Sequence, residues 1–481
     1  MNLTKLKGLE PAAVFGYFEQ ICAIPHGSGN VDAISDYLVA FAKAHKLRYI
    51  QDESKNVIIF RDATPGYEDH APVILQGHMD MVCQKDADCP IDMDKEGLDI
   101  TNDGSYVFAK GTTLGGDNGI AVAFMLALLA DDTIAHPAIE TIFTVDEEIG
   151  LLGATAIDVS MLKGRTLINI DSEEEGIFTV SCAGGARFYL ELPLERRVVY
   201  GPCVRLTVAG LKGGHSGVDI DKSRANANKV MAELLSRIRK VMPICISKIH
   251  GGAKDNAIAD RCQTTLVTLG LNPEQINEIA STLQAEIREK YDEPQAVIYG
   301  DNVEDVFGAN ALTSEETDKV IALLQALPNG IRKWSPDIAG LVQTSLNLGV
   351  LELDQTLEAS FSVRSSINSE LQQLLAELGD VAQEYGAAHG YDGVYPAWEY
   401  RKQSPLRDKM VALYETMFVQ KPQVVAIHAG LECGVLAEKL PGLDCISIGP
   451  DMYDIHTSRE RLSIASTQRT WKFLQEVLKA L

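Results

Sequence analysis

Hydrophobic residues in the part of the chain up to about Gly185 occur as short β-branched runs and one longer apolar stretch. Runs of four to eight apolar residues are typical of strands that are buried on both faces, and a longer apolar stretch is typical of a buried helix. The predicted strands are Val57–Arg61, Val73–Gln76, Ile139–Val145 and Thr166–Ile170, and the predicted helices are Ala12–Ile24 and Ile120–Ala130. Strands that alternate with helices predict an α/β layer around a central, largely parallel sheet.

Beyond about Gly185 the regular alternation stops, and an α+β region is predicted. Its helices are expected at Arg224–Val241, Pro273–Tyr291 and Glu370–Gly386, and its strands at Val204–Ala209, Cys262–Leu269, Ser345–Leu353 and Leu357–Val363. The alternating order returns from about Tyr395, with strands Gln423–Ile427 and Cys445–Ile448 and a closing helix Ser466–Leu481.

The length of the chain bears on how these regions are divided. A chain of 481 residues exceeds the ~250–300 residues that one hydrophobic core usually serves. We therefore predict one α/β domain formed by residues 1–187 and 395–481, interrupted by an inserted α+β domain of residues 188–394.

Charge and cysteine content exclude several classes of function. The formal net charge of −24 disfavours a nucleic-acid partner, because such binding depends on Lys and Arg neutralising phosphates. No apolar run approaches the ~18–20 residues that span a bilayer, and the first residues do not show a signal-peptide pattern. The nine cysteines are scattered without a CxxC pair, which is typical of reduced thiols. We expect a cytoplasmic protein with no membrane partner.

Five short histidine or acidic motifs lie at predicted strand ends or loop-to-helix junctions of the α/β layer. They are His78-Met79-Asp80, Gly115–Gly119, Asp146–Gly150, Asn169–Glu175 and Ile455–Glu460. Each motif alone has an ordinary structural explanation: a loop or helix-start histidine, an Asp/Asn helix cap, an acidic first helical turn or a charged turn. Ligand-binding residues of α/β folds gather at the carboxyl ends of parallel strands, so the five motifs together favour one shared site.

The residue types in these motifs indicate a metal site. Imidazole and carboxylate ligands without cysteine suit Zn²⁺, Mn²⁺ or Co²⁺ better than a soft metal. Two metals close together need one shared carboxylate and separate terminal ligands. A carboxylate two residues after a histidine, as in His78-Met79-Asp80, can hold a metal-bound imidazole in orientation. Of the pair Glu147-Glu148, one glutamate could bind metal while the other moves protons.

The ordered set of motifs resembles the M20-type dinuclear metallopeptidases, the family that includes carboxypeptidase G, peptidase T and the Xaa-His dipeptidases. The resemblance covers essentially the whole chain and is closest to the bacterial aminoacyl-histidine, or carnosinase-like, branch. It is carried by His78–Val82, Gly111–Gly115, Asp117-Asn118-Gly119, Asp171–Gly176, Cys182–Gly185, Gly210–Gly217, His428–Gly434 and Ser447–Pro450. It implies a zinc-peptidase-like catalytic domain with a central sheet flanked by helices, and it implies that the inserted α+β domain is a lid.

The resemblance also implies a role for each candidate metal ligand. Asp117 would bridge two divalent ions, His78 and Asp171 would complete one site, and Glu148 and His456 would complete the other. The ions would most simply be Zn²⁺, with Mn²⁺ or Co²⁺ as alternatives. The peptide bond that follows the bridging aspartate is expected to be cis.

Catalytic roles follow by the same resemblance. Asp80 would orient His78, and Glu147 would be the general base that takes a proton from water activated between the two metals. His215 would stabilise the oxyanion, either within its own subunit or from a partner subunit. The expected activity is hydrolysis of the amide bond of short unblocked peptides, Xaa-His dipeptides above all.

Substrate binding is expected to involve the inserted domain and one loop near the C-terminus. Asn256 and Arg364 would hold the carboxylate of the peptide, although Arg364 could instead be an ordinary arginine on an exposed strand. His428, Gly430 and Glu432 resemble a substrate-binding loop. A homodimer is expected. The alternatives are a tripeptidase or an N-acyl amino acid deacylase on the same site, or a catalytically silent metal- or peptide-binding protein.

Overall fold

The computed structural model describes residues 4–269 and 273–481, which form two compact units. The first unit contains the chain up to Cys182 together with Tyr400–Ala426 and Leu431–Leu481. The second contains Ala183–Glu399 and Ile427–Gly430. The sequence-based boundaries at 187/188 and 394/395 differ from these by a few residues, and they did not include Ile427–Gly430 in the second unit.

The described residues contain eleven α-helices and twenty-three strands, numbered here in chain order. The helices α1 to α11 are Ala12–Cys22, Asp32–Ala44, Gly116–Ala130, Leu152–Ala156, Ala227–Val241, Pro273–Tyr291, Ser314–Ala326, Asn368–Glu384, Pro405–Phe418, Glu432–Lys439 and Ile464–Ala480. The strands β1 to β12 are Arg48–Gln51, Val57–Arg61, Val73–His78, Ile100–Asn102, Tyr106–Ala109, Ile139–Thr144, Thr166–Asn169, Ile177–Cys182, Gly184–Pro193, Arg196–Ala209, Gly214–His215 and Ile244–Gly251. The strands β13 to β23 are Ala257–Ile258, Cys262–Thr268, Val297–Leu312, Gly330–Trp334, Val342–Leu353, Thr356–Ser365, Ala388–Tyr395, Gln423–Ile427, Asp444–Ser447, Met452–Tyr453 and Arg461–Ser463.

The first unit is built around an eight-stranded sheet in the order β1-β2-β6-β3-β7-β21-β8-β20. Its centre is parallel, because β3 pairs in parallel with both β6 and β7, and β7 pairs in parallel with β21. Every residue of β3 and β6 is buried, as expected for strands covered on both faces. The predicted α/β layer is confirmed, but its sheet is mixed rather than largely parallel, because β1 with β2, β2 with β6 and β8 with β21 pair antiparallel.

Helix α3 is the central helix of the first unit. It is apolar on all sides and almost completely buried, so it packs inside the unit rather than on its surface. A Cβ on Gly119 would lie 3.3 Å from the Phe18 ring of α1, so the absence of a side chain there allows the two helices to pack closely. A four-stranded sheet in the order β22-β23-β5-β4 completes the unit.

The second unit is an α+β structure, as predicted. Its nine-stranded sheet contains the path β15-β10-β14-β12-β17-β18-β9-β19, with β16 paired to β17, and every pairing recorded in it is antiparallel. Residues from helices α5 to α8 and from this sheet share one hydrophobic core. A two-stranded pair, β11 with β13, carries His215 opposite Ala257.

The sequence reading missed several elements of both units. Strand β9 alternates between buried and exposed residues, and β10 begins at Arg196 rather than at the predicted Val204. Strand β9 and the first part of β10 do not form continuous apolar runs, because one face of each is exposed, and the search for such runs therefore found only Val204–Ala209 of β10. Helix α2 was overlooked as well. No helix in the described ranges has both the length and the apolar character needed to cross a membrane.

Candidate metal centre

Three of the five candidate ligands are placed by neighbouring parallel strands. His78 is the last residue of β3, Glu148 follows β6, and Asp171 follows β7. Since the carboxyl ends of parallel strands meet at one edge of a sheet, these three side chains lie together at that edge. Asp117 comes from the start of α3, and His456 from a turn between β22 and β23, where its φ is 58°.

The tautomer of His78 is set by its surroundings. Its Nδ1 lies 3.0 Å from the carbonyl oxygen of Asp80, which can only accept, so Nδ1 carries the proton. The opposite nitrogen, Nε2, lies 3.1 Å from Oδ1 of Asp117 and 3.5 Å from Oδ1 of Asp171. Although burial acts in the opposite direction, the charge of Asp171 and the hydrogen bond to Asp117 raise the pKa of His78 well above its usual value. The two carboxylates therefore favour positive charge at this point, and a bound cation or a ring proton can supply it.

Asp117 lies between two imidazoles. Its Oδ1 is 3.1 Å from Nε2 of His78, and its Oδ2 is 3.1 Å from Nε2 of His456. Burial opposes ionisation of Asp117, but hydrogen bonds from His456 and His78 hold its pKa well below the usual range. One ionised carboxylate with an oxygen towards each histidine is the arrangement that a bridging ligand requires.

Asp117, the second residue of α3, does not act as its N-cap. The N-cap position of α3 is Gly115, no side chain caps it, and the backbone of Asp117 and Asn118 is not helical. The Asn118 side-chain nitrogen instead donates to Oδ1 of Asp171 and to the carbonyl of Ile170, both at 2.7 Å. The helix-cap explanation of this motif is therefore wrong, and the Asp117–Asn118 peptide bond is cis as expected.

His456 and Glu148 form the other end of the cluster. The Glu148 Oε1 lies 3.0 Å from Nε2 of His456, and hydrogen bonds to Asp117 and Glu148 raise the pKa of His456 to about 10. The side chain of His456 is 44% exposed, whereas that of His78 is buried, so this end of the cluster is open to solvent. One ligand atom each from His78, Asp117 and Glu148 lies within 4.8 Å of the others, close enough to hold one ion.

Asp80 holds the segment that carries both glutamates. Its carboxylate accepts hydrogen bonds from the Ser28 hydroxyl at 2.8 Å and from the backbone nitrogens of Glu147 and Glu148 at 3.1 and 3.4 Å. It also lies 3.4 Å from Nδ1 of His78. The segment Asp146–Gly150 precedes α4 and is not its first turn, so the explanation of these acidic residues as a helix start is wrong.

Glu147, whose backbone nitrogen is held by Asp80, has a strongly shifted pKa. Burial raises its pKa well above the usual value, and the carboxylates of Asp171, Glu432 and Glu148 add to the effect. A raised pKa makes a carboxyl group a stronger base, which is the property that a general base requires.

Glu432 does not lie where a substrate-contacting residue is expected. It is fully buried as the first residue of α10. Its Oε2 accepts hydrogen bonds from the Thr144 hydroxyl at 2.6 Å and from the side chain of Gln76, while its Oε1 has no partner among the described residues. Burial raises its pKa to about 7. The side chain of Glu432 lies beneath β3 and β6, and this buried position contradicts its expected role in a substrate-binding loop. The motif alone could not show that its glutamate turns inward.

The remaining candidates belong to the second unit, where they form their own group. His428 accepts or donates a hydrogen bond with the Ser345 hydroxyl at 2.7 Å, and Arg364 donates to the Tyr395 hydroxyl at 2.9 Å. Burial, followed by the charge of Arg364, lowers the pKa of His428 to about 3. Arg364 is only 8% exposed and its Nε has no partner among the described residues, so its explanation as an exposed strand arginine is wrong.

His215, Asn256 and Gly430 also lie in this unit. The Asn256 carbonyl accepts a hydrogen bond from the Ser216 backbone at 2.8 Å, directly after His215. Burial, followed by the charge of Arg364, lowers the pKa of His215.

Comparisons with known proteins agree with this architecture. A family model described as a peptidase dimerisation domain matches residues 206–294. The cytosol non-specific dipeptidase of Escherichia coli (strain K12) is 35% identical over 486 residues, covering 100% of this chain and 99% of the relative. The crystal structure of aminoacylhistidine dipeptidase from Vibrio alginolyticus has 34% identity and a TM-score of 0.93, covering 99% of this chain and 98% of that one.

A more distant structure supports the fold alone. The aminopeptidase PepT from Bacillus cereus has 15% identity and a TM-score of 0.56, with 98% of each chain covered.

An α/β sheet with a parallel centre that presents imidazole and carboxylate donors at one edge is typical of the class of metal-dependent hydrolases. Within that class the assignment is specific, because a relative of nearly equal length is 35% identical over the whole chain. The chain belongs to the M20 peptidase family.

Proposed function

We propose that this protein is a dinuclear metallo-dipeptidase that hydrolyses the amide bond of short unblocked peptides, with Xaa-His dipeptides among its substrates. The observation that carries the proposal is Asp117, whose two oxygens face His78 and His456 while Glu147 lies in the same cluster. The names of the Escherichia coli and Vibrio relatives, a non-specific dipeptidase and an aminoacylhistidine dipeptidase, support dipeptides as the substrate class.

The donor set fits two divalent ions. Asp117 would be shared, His78 and Asp171 would complete one site, and Glu148 and His456 the other. Nitrogen and oxygen donors without sulfur suit Zn²⁺, which we propose, and also Mn²⁺ or Co²⁺. When bound, such a pair polarises a carbonyl and lowers the pKa of water towards neutrality.

The residues of the chain would manage the proton and the position of the reacting groups. Glu147 would take a proton from the attacking water and deliver it to the leaving amine, which its raised pKa supports. Asp80 would keep Glu147 and Glu148 in place through their backbone nitrogens. His215 would stabilise the oxyanion, either within its own subunit or from the partner subunit.

The group in the second unit would bind the far end of the peptide. Arg364 is buried with an unpartnered Nε, and a guanidinium in that state can receive a carboxylate. Asn256, His428 and Gly430 would line the same subsite. The group supports preference for peptides with a free C-terminus.

Assembly and location are part of the proposal. A match to a peptidase dimerisation domain supports a homodimer. The cytosolic name of the Escherichia coli relative supports a cytoplasmic location, as expected from the sequence.

A substrate panel on metal-free enzyme reconstituted with Zn²⁺, Mn²⁺ or Co²⁺ tests the proposal. Xaa-His and other dipeptides should be cleaved, and chelation should abolish activity. Faster cleavage of Gly-Gly-Gly would favour a tripeptidase, and faster cleavage of N-acetyl amino acids a deacylase. Mixing His215→Ala with Glu147→Gln protein should restore activity only if His215 acts across subunits, because one site of the mixed dimer then contains both residues intact. No turnover with any metal would contradict the proposal.

A further inference from the structure

A buried carboxylate outside the predicted ligand set lies directly behind the cluster. Glu460 is 2% exposed and stands just before β23, four residues after His456. It accepts hydrogen bonds from four consecutive backbone nitrogens. The nitrogens of Leu114 and Gly115 donate to Oε2 at 2.7 and 3.1 Å, and those of Gly116 and Asp117 donate to Oε1 at 2.7 and 3.4 Å.

The cradle around Glu460 depends on its glycines. Gly115 has a φ of +67°, and a Cβ there would lie 2.8 Å from the sulfur of Met81. A Cβ on Gly116 would lie 3.1 Å from the Glu460 carboxylate itself. Because successive N–H groups that point into one concavity form an anion-binding nest, this loop is shaped around a carboxylate.

Burial raises the pKa of Glu460 to about 7, and the hydrogen bonds from the backbone of Leu114, Gly115 and Gly116 act in the opposite direction. None of the ion pairs found among the described residues involves it, so the four N–H groups are its stabilising contacts. Hydrogen bonds from four donors of one loop to a single buried carboxyl group fix the geometry of both partners.

We propose that Glu460 is a positioning residue that joins the two loops of the metal centre. One loop ends in Asp117 and the other carries His456. Glu460 belongs to the second loop and accepts a hydrogen bond from Gly116 of the first, a residue 344 positions away in the sequence. Asp117 and His456 thereby keep the separation of 3.1 Å between Oδ2 and Nε2 that a shared ion site needs. The inference rests on the proposed function only in taking these two residues as metal ligands.

Glu140 offers a matched control for the test. It is also a buried carboxylate in the first unit, 5% exposed, and it accepts backbone hydrogen bonds from Lys163 and Gly164 at 3.0 to 3.1 Å. It lies at the start of β6, whereas the cluster lies beyond the end of that strand. Glu140→Gln and Glu460→Gln therefore remove the same kind of interaction at different distances from the metal centre.

The experiment is a titration of the metal-free full-length variants with Zn²⁺ against a competing chelator, together with a thermal melt. Loss of a partner that orients metal ligands typically costs ~10–100-fold in metal affinity. We expect Glu460→Gln to bind at least one of two ions ~10-fold or more weakly than wild type, and Glu140→Gln to bind both normally. Excess metal should restore part of the activity of Glu460→Gln.

A second variant tests the same contact in case Glu460→Gln does not fold. Gly116→Ala leaves Glu460 in place but brings a Cβ against its carboxylate, and it should weaken metal binding in the same direction. Unchanged affinity in folded Glu460→Gln or Gly116→Ala, or an equal loss in Glu140→Gln, would overturn the inference. Wild-type protein that binds two ions without cleaving dipeptides would instead contradict the proposed function and leave the positioning role intact.

Discussion

At the scale of single residues, the cluster separates side chains that face the candidate ions from side chains that hold them. His78, Asp117 and Glu148 offer ligand atoms within 4.8 Å of one another. Asp80 and Asn118 lie behind them and make hydrogen bonds to the ligands or to their backbone. Supporting partners of this kind set the orientation of a ligand and its basicity.

The role of Glu147 can be tested by Glu147→Gln. The amide keeps the shape of the side chain but cannot take up a proton, so kcat should fall at least ~100-fold. Metal content, measured by elemental analysis, should be unchanged because Glu147 is not among the expected ligands. Glu174→Gln, which changes an exposed carboxylate in the segment after β7, serves as the control. A near-normal kcat would remove Glu147 from the proton-transfer role.

Arg364→Ala tests the reading of the peptide carboxylate. The ratio kcat/KM should fall ~10-fold or more for free dipeptides, because a charge-assisted hydrogen bond contributes ~1.5–3 kcal/mol, and little for the matching C-terminal amides. Arg187→Ala on the adjacent strand β9 is a suitable control, since its side chain is 52% exposed and pairs with Asp392. An equal loss on both substrate types would show that Arg364 does not recognise the carboxylate.

At the scale of elements, the segment between β6 and α4 carries both glutamates and is fastened at its two ends. The Asn56 side chain accepts from the Val145 nitrogen at 3.1 Å and donates to the Gly153 carbonyl at 3.1 Å. The Gly153 nitrogen also donates to the Val145 carbonyl at 2.9 Å. The segment is thus held by its neighbours although it has no regular secondary structure.

Gly153→Ala tests this arrangement. The new Cβ would lie 2.2 Å from the Val145 carbonyl oxygen, so the segment must shift. We expect a loss of stability of about 1–3 kcal/mol, measured by denaturant unfolding, and weaker metal binding. Gly16→Ala is the control, because a Cβ there meets nothing within 4 Å and alanine favours the helix α1. Unchanged metal affinity in Gly153→Ala would show that the segment tolerates the shift.

At the scale of the whole molecule, the two units have separate hydrophobic cores. All five candidate ligands belong to the first unit. Metal binding therefore acts directly on the stability of that unit, since a ligand that binds only the folded state stabilises it by mass action.

Calorimetry of the enzyme with and without metal tests this expectation. Chelation should lower the melting temperature of one transition, assigned to the first unit, and leave a second transition nearly unchanged. His78→Ala should reproduce the low melting temperature and no longer respond to added metal. A single transition that shifts as a whole would mean that the two units unfold together.

The sequence alone determined the buried strands and the residue types of the centre. The continuous apolar runs of β3, β6 and β7 can be read locally because such strands are covered on both faces. The motifs after them could be joined into one predicted site because parallel strands end at a common edge. The half-exposed strands β9 and β10 were harder to find, since only their buried faces carry apolar residues.

Only the tertiary structure decided the direction of individual side chains. It turned Glu432 into the core below β3 and β6, buried Arg364 on β18, and placed Glu460 in the backbone nest before Asp117. None of these contacts has a local signal, because each joins residues far apart in the chain. A sequence motif indicates which chemical groups are available. Packing in the folded chain determines which of these side chains face the ion and which bind the backbone behind the site.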